Sequence, residues 1–287
     1  IDFKAFAILF RSIFVEGMAR PEQGVRPMIK ALEQGLKASG VERKMGMGVR
    51  RLRKKGRRCE EVELDNGSLI RARWILSSAG LVETQRLLEG SEVDAAKESI
   101  GRLSFCETFN IFTDNSVTAG EEGGTIFYHW TPTFEYRRPE EWVDAKSGVI
   151  CFPKHFGEKT AEGEGQMRVT CLANHELWTT LPEDRYRAEK KRAFPEMLKE
   201  ALRACPGLDP LAIQSSTIAT DMYTPRTIEH YTGKLGGAVY GSPQKKSNGG
   251  DLCENVLLCG TDQGYLGIVG SMLSGVMMAN RIFGEMD

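Results

Sequence analysis

The chain has 287 residues, and its 38 basic and 39 acidic residues leave a formal net charge of −1. This balance provides no overall field that would attract nucleic acid, and the length allows one large or two medium-sized domains. Seven scattered cysteines without a C-x-x-C pair, and four histidines without metal-ligand spacing, argue against disulfides and a metal site. The composition therefore predicts a globular protein of the cytoplasm.

The first predicted element is an apolar helix within residues 1–22. Phe3, Phe6 and Phe10 share one helical face of the run 1–15. One interpretation is packing in the core of a domain, and the other is a face that dips into a membrane. No apolar run reaches the length of about eighteen residues that a transmembrane helix requires.

Residues 23–90 predict a helix followed by a hairpin and a strand. A helix at 28–39 ends at Gly40, and the tripeptide 65–67, Asp-Asn-Gly, is a hairpin turn signal. Strands are predicted at 41–52, 59–64 and 69–74, and the run 75–80 ends in small residues. The basic segment 50–58 is either a solvated hairpin tip or a contact with anionic lipid headgroups.

The middle of the chain, residues 91–235, predicts a β-rich domain with a long helix. Alternating apolar residues predict strands at 103–113, 124–130, 148–152, 167–173 and 212–220. A helix is predicted at 182–205, with a break or kink at Pro195. The weakly patterned segment 242–251 predicts an exposed loop.

The end of the chain carries the most informative pattern. An apolar strand at 256–259 runs into Gly260-Thr261-Asp262, and a glycine-rich loop then leads into an apolar helix from about Ser271. Because the runs 75–80 and 256–260 both end in small residues before a helix, we expect them to be neighbouring strands of a partly parallel sheet. Glycines let backbone N–H groups approach a ligand, and a helix N-terminus adds unpaired donors. An acid after the strand can accept hydrogen bonds from sugar-alcohol hydroxyls. The alternative is a glycine-rich turn that only packs a terminal helix against a sheet.

This terminal motif, the block 23–80 and the stretch 223–241 resemble the C-terminal flavin segment of the phytoene desaturase and carotenoid isomerase family. The resemblance implies FAD as cofactor, with Asp262 on the ribityl chain and Gly267-Ile268-Val269 at the pyrimidine edge. It also implies a backbone contact of Val49 with the adenine and a returning turn at Ser78-Ala79-Gly80. The implied cofactor-binding residues are Val49, Ser78, Ala79, Gly80, Gly260, Thr261, Asp262, Gly267, Ile268 and Val269.

One feature of the family is missing, because no G-x-G-x-x-G motif occurs near the start of the chain. We therefore expect the C-terminal part of a larger protein, with FAD bound weakly or not at all by this chain alone. The implied fold is mixed α/β. Residues 23–90 and 236–287 would belong to an FAD/NAD(P)-binding Rossmann-like domain, and 1–22 and 91–235 to a β-rich substrate domain with helical cover.

The resemblance implies an FAD-dependent oxidoreductase that desaturates or isomerises a long apolar polyene, such as a carotenoid precursor. Its partners would be this apolar small molecule and, through peripheral contact, a membrane. One alternative is an amine-oxidase-like flavoenzyme, which would need aromatic residues near Tyr240. Another is a non-catalytic binding or scaffold module. No catalytic residue is identified, although Glu229 and His230 are the best acid/base candidates.

Overall fold

A computed structural model of the chain describes residues 24–88, 100–118, 124–156, 164–250 and 252–284, with residues 3, 7, 10, 11, 15–17 and 21. Most of the predicted apolar face at 1–15, including Phe6, lies outside these residues. The helices are α1 Arg26–Ala38, α2 Leu81–Leu87, α3 His175–Thr179, α4 Glu183–Leu202, α5 Pro210–Ser216, α6 Pro225–Thr232 and α7 Gly267–Gly284. The strands are β1 Val49–Lys55, β2 Arg58–Leu64, β3 Leu69–Ile70, β4 Ile75–Ser77, β5 Ser104–Phe112, β6 Thr125–His129, β7 Ser147–Cys151, β8 Gly165–Ala173, β9 Thr217–Tyr223 and β10 Val256–Leu258. In the described part of the chain, no helix is both long and apolar enough to cross a membrane.

The first sheet is an antiparallel arrangement of β1, β2 and β3. The turn between β1 and β2 places Gly56 at a φ of 61°, and the turn after β2 places Gly67 at 81°. Both angles lie in the left-handed region that glycine adopts at little cost. The hairpin predicted from Asp-Asn-Gly is therefore confirmed as the pair β2 and β3. The basic segment 50–58 forms most of β1, the connection after it and the first residue of β2.

A two-stranded parallel sheet joins distant parts of the sequence. Val256 pairs with Ile75, and Leu258 pairs with Ser77. The buried side chain of Asn255, just before β10, joins this sheet to β2 of the hairpin sheet, because it accepts a hydrogen bond from Cys59 N at 2.9 Å and donates to Cys59 O at 2.8 Å. The predicted adjacency of the runs 75–80 and 256–260 is confirmed.

The largest sheet has the antiparallel order β6-β7-β8-β5-β9. Burial alternates strictly along β5, so that its even-numbered residues face the core and its odd-numbered residues face the other side. The helix α4 covers the core face with Ala193, Met197 and Ala201, all fully buried. The other face remains partly open, and it forms the floor of the cavity described below.

Two sequence-based predictions in this region are wrong. The segment predicted as a strand at 212–220 instead begins as helix α5, because Asp209 accepts a hydrogen bond from Leu211 N and Pro210 occupies the first turn. Only from Thr217 does it become strand β9. Of the break or kink predicted at Pro195, the break is absent, since α4 continues through this proline, and the kink stays a prediction. Packing of the apolar face of α4 against the sheet outweighs the local cost of the proline.

Candidate functional site

Asp262 lies in the interior at the end of the parallel strand pair. Its side chain is 1% exposed, and Oδ2 accepts a hydrogen bond from Leu81 N at 2.6 Å. Oδ1 accepts one from Ser242 N at 2.8 Å and lies 3.5 Å from Lys245 Nζ. The carboxylate therefore joins the start of α2 to the segment around Ser242. The predicted contact with a ribityl chain remains a prediction.

The segment from Tyr240 to Lys245 closes tightly over this carboxylate. Gly241 has a φ of 63°, and a Cβ at this position would overlap Asp262 Oδ1. Lys245 Nζ also donates to Tyr240 O at 2.5 Å, and burial lowers the pKa of the Lys245 ammonium. Ser242 is 3% exposed, so the predicted exposed loop at 242–251 begins with a buried residue.

A second buried network fixes the glycine loop to the terminal helix. Gly260 N donates to Ser274 Oγ at 2.5 Å, and this hydroxyl donates to Gln263 Oε1 at 2.5 Å. Gln263 Nε2 in turn donates to Ser247 O at 2.9 Å. Ser274 and Gln263 are 0% and 1% exposed, and they position the loop that precedes α7. Sequence reasoning did not identify either residue.

The start of α7 is open to a ligand. Gly267 has a φ of 72°, and Ile268 and Val269 are 49% and 64% exposed. The first turn of this 18-residue helix presents backbone N–H groups that have no partner within the helix. These three residues are accessible to a ligand, as the predicted contact with the flavin pyrimidine edge requires. If FAD binds here, they would hold its ring by backbone contacts.

The other predicted cofactor residues lie in two places. Ser78, Ala79 and Gly80 follow β4, with Ser78 exposed and Gly80 buried. A Cβ at Gly80 would overlap side chains that include that of Asp262, so this turn and the acid belong to one cluster. Thr261 follows the buried Gly260, whereas Val49 begins β1 in the separate hairpin sheet.

The open face of the large sheet forms the floor of a cavity of about 820 Å³. One row of paired residues crosses all five strands in the order Phe127, Val149, Thr170, Glu107 and Tyr223. Residues outside the sheet line the cavity too, namely Phe134, Tyr136, Ile228, Val239 and Tyr240. Most of the lining is aromatic or aliphatic, so the cavity suits a bulky apolar ligand.

Glu107 is an exception on this apolar floor. Its Oε2 accepts a hydrogen bond from Thr170 Oγ1 at 3.2 Å. Burial raises the pKa of the Glu107 carboxyl, and the nearby Arg168 guanidinium partly offsets this effect. Sequence reasoning missed Glu107, although the signal was present. Phe105, Glu107 and Phe109 lie on the same face of the strand, so the alternation in the sequence places one acid between two aromatic residues.

Two tyrosines meet beside the cavity. Tyr136 and Tyr240 have hydroxyl oxygens 2.9 Å apart and ring centroids 6.3 Å apart, with the ring planes at 53°. Burial, together with this hydrogen bond, raises the pKa of the Tyr136 hydroxyl. The edge of Phe105 meets the Tyr240 ring at 6.1 Å between centroids. The aromatic residues that the amine alternative required near Tyr240 are therefore present.

Tyr240 connects the cavity to the Asp262 cluster. Its ring lines the cavity, and Ser242, two residues later, donates to the Asp262 carboxylate. The strand end, the acid and the cavity wall are thus linked by one short segment.

Glu229 and His230 line a different, more open cavity of about 580 Å³ together with the buried His175. Burial and the nearby Arg138 lower the pKa of the His175 imidazole. The two acid/base candidates from the sequence therefore lie on α6, outside the lining of the aromatic cavity. Within the described residues, no cluster of His, Cys, Asp and Glu could hold a metal ion, and the cysteines form no disulfide.

No protein-family model matches the chain, and no curated protein does either. Among solved structures, the chain is similar to a protein of Exiguobacterium sp. 255-15 that is provisionally named protoporphyrinogen oxidase. Their sequences are 12% identical and the TM-score is 0.55, over 92% of this chain and 52% of the other. This likeness shows a shared fold, and the predicted mixed α/β class is confirmed.

Two further structures are more distant. PqsL of P. aeruginosa, in complex with 2-aminobenzoylacetate, is 13% identical with a TM-score of 0.42, over 88% of this chain and 55% of PqsL. BrvH, a flavin-dependent halogenase of Brevundimonas sp. BAL3, is 11% identical with a TM-score of 0.34, over 88% of this chain and 38% of BrvH. The chain spans about half the length of the Exiguobacterium protein, since the match covers 52% of that protein.

Proposed function

We propose that the chain supplies the substrate cavity and the C-terminal flavin segment of an FAD-dependent oxidoreductase. Its substrate would be a long apolar polyene, such as a carotenoid precursor, which the protein desaturates or isomerises. The observation that carries this proposal is the aromatic cavity beside the strand–glycine–helix segment, with Tyr240 and Asp262 joined by one short stretch of chain. The fold shared with the provisionally named oxidase supports it.

The cavity provides the binding energy that such a substrate needs. A hydrocarbon gains roughly 25 cal/mol for each Å² of apolar surface that it removes from water. The floor row and the wall residues Phe134, Tyr136 and Tyr240 would hold an extended molecule flat against the sheet. A bound flavin supplies the hydride acceptor. The protein's own residues then bind the polyene, orient it and exclude water.

The amine-oxidase-like reaction is the second candidate. The cluster of Phe105, Tyr136 and Tyr240 supports it, because aromatic faces attract amine cations. The 53° angle between the two tyrosine rings, however, differs from a parallel pair that would hold an amine between two faces. We therefore rank the amine-oxidase-like reaction second to the reaction on a polyene.

The test begins with binding. We would titrate the purified chain with a carotenoid precursor delivered in detergent micelles, and compare Val149→Trp with Thr125→Trp. Val149 is a half-buried residue of the floor row, between Phe127 and Thr170, so a tryptophan there should fill part of the cavity and weaken binding at least tenfold. Thr125 is an exposed residue of the edge strand β6, and its variant should bind as the parent does. Equal binding by all three proteins would refute the cavity as the substrate site.

The second stage tests the chemistry. The chain is supplied with excess FAD under anaerobic conditions, and either the polyene or a long-chain primary amine is added. Loss of the oxidised flavin absorbance with the polyene supports desaturation, and a changed isomer pattern without flavin reduction supports isomerisation. Reduction by the amine alone would favour the second candidate. Weak FAD binding by this chain alone is expected, so the scaffold alternative would be supported by failure of the complete protein to bind FAD.

A further inference from the structure

Glu107 lies on the cavity floor. It is the fourth of the five residues in the cross-sheet row, between Thr170 on β8 and Tyr223 on β9. Among the described residues that line the cavity it is the only acid, and no lysine or arginine lines it. Burial of this acid costs folding energy, which the hydrogen bond from Thr170 and the nearby Arg168 guanidinium offset only in part.

Aromatic residues neighbour Glu107 on the sheet. Phe105 lies two residues earlier on the same face, and Tyr223 pairs with Glu107 from β9. Both rings line the same cavity as Glu107. Outside the cavity lining, the Arg168 guanidinium lies over the Phe109 ring of the same strand at 5.2 Å from the centroid. A carboxylate beside aromatic faces is the combination that recognises organic cations.

We propose that Glu107 and the surrounding aromatic rings form a site for positive charge on an otherwise apolar ligand. This inference rests on the proposed function, because it concerns the same cavity. It assigns Glu107 a role in specificity. The ligand class is an organic cation with a bulky apolar body, held with its positive charge beside the Glu107 carboxylate.

Both candidate reactions provide such a charge. In desaturation, a bound flavin would accept a hydride from the hydrocarbon, and Glu107 would stabilise the positive charge that develops on the carbon skeleton. Loss of a proton from the neighbouring carbon to solvent would then complete the double bond. A substrate amine instead carries its charge from the start. The shared chemistry is a desolvated cation opposite a carboxylate, and the two sources differ in whether the free substrate is already charged.

The test uses the chain itself and two small probes of the same shape. Benzyltrimethylammonium carries a permanent charge, and neopentylbenzene is its neutral isostere. Both are titrated into the parent chain, Glu107→Gln and Glu135→Gln by calorimetry. Glu135 is an exposed acid of the neighbouring loop that does not line the cavity, so its variant controls for the change in net charge.

We expect Glu107→Gln to weaken binding of the ammonium probe about tenfold or more, while its affinity for neopentylbenzene changes less than about twofold. The Glu135→Gln variant should bind both probes as the parent does. Equal loss of ammonium binding in the two variants, or no loss in Glu107→Gln, would overturn the inference. Thermal unfolding of each variant confirms that it is folded.

The sources of charge are then separated with the carotenoid precursor and a long-chain amine. If the charge develops during reaction, Glu107→Gln should leave binding of the precursor unchanged and slow only flavin reduction. If the substrate is an amine, the same change should weaken amine binding directly. Failure of the precursor to respond to Val149→Trp would refute the proposed function, whereas failure of the ammonium probe to respond to Glu107→Gln refutes only the cation site.

Discussion

The Asp262→Ala substitution should destabilise the fold strongly. It removes the acceptor for Leu81 N at 2.6 Å and for Ser242 N at 2.8 Å, both in a buried setting. A hydrogen bond to a charged group contributes about 1.5–3 kcal/mol, so two such bonds amount to roughly 3–6 kcal/mol. The Lys245 ammonium, 3.5 Å from Oδ1, also loses its counter-ion. A simple helix cap would contribute only about 1 kcal/mol.

The measurement is urea unfolding followed by far-UV circular dichroism, with Asp209→Ala as the matched control. Asp209 is an exposed cap that accepts one backbone hydrogen bond, from Leu211 N at 2.9 Å. Its loss should cost about 1 kcal/mol. Equal destabilisation by the two variants, at an unchanged dependence on urea, would refute the assignment of Asp262 as a link between segments.

In the complete protein, Asp262→Ala also tests the predicted flavin contact. Loss of a hydrogen bond from a ribityl hydroxyl should weaken flavin binding about ten- to a hundredfold. A flavin titration below the unfolding temperature separates this effect from stability. Unchanged flavin affinity in a destabilised variant would leave Asp262 with the structural role alone.

Three further predictions concern stability. Burial raises the pKa of the Glu107 carboxyl, so stability falls as the pH rises from the ordinary glutamate pKa of about 4.3 to the folded-state pKa, and the loss is complete above it. Glu107→Gln should therefore raise the melting temperature at pH ~8, with the gain disappearing below pH ~4.3. An equal gain at both pH values would contradict this reasoning. Gly241→Ala should lower the melting temperature more than Gly40→Ala does. Both glycines have a positive φ, but an added Cβ would overlap Asp262 only at Gly241, whereas the space at Gly40 is open. Equal losses would show that backbone strain alone matters. Pro195→Ala should stabilise the protein by up to about 3 kcal/mol in chemical unfolding, because helix α4 is continuous there and Pro195 is exposed. A loss of stability would show that the proline is needed at this position.

The local sequence pattern determined most of the elements. The alternation in 103–113 predicted β5, and the tripeptide Asp-Asn-Gly predicted the turn before β3. Both signals depend on neighbouring residues, because side-chain alternation and turn conformations are properties of a few consecutive positions. The parallel pairing of 75–77 with 256–258 was also predicted, since both apolar runs end in small residues before a helix.

Tertiary contacts decided the rest. The helix through Pro195 is held by packing against the sheet, and the helix at 210–216 depends on a cap that the apolar pattern concealed. Glu107 faces the cavity because five strands align in one register, and Asp262 binds backbone groups that are 20 and 181 residues away in sequence. Local periodicity contains no information about such distant partners. Only the folded chain determines which side chains share a cavity and which buried acid holds two segments together.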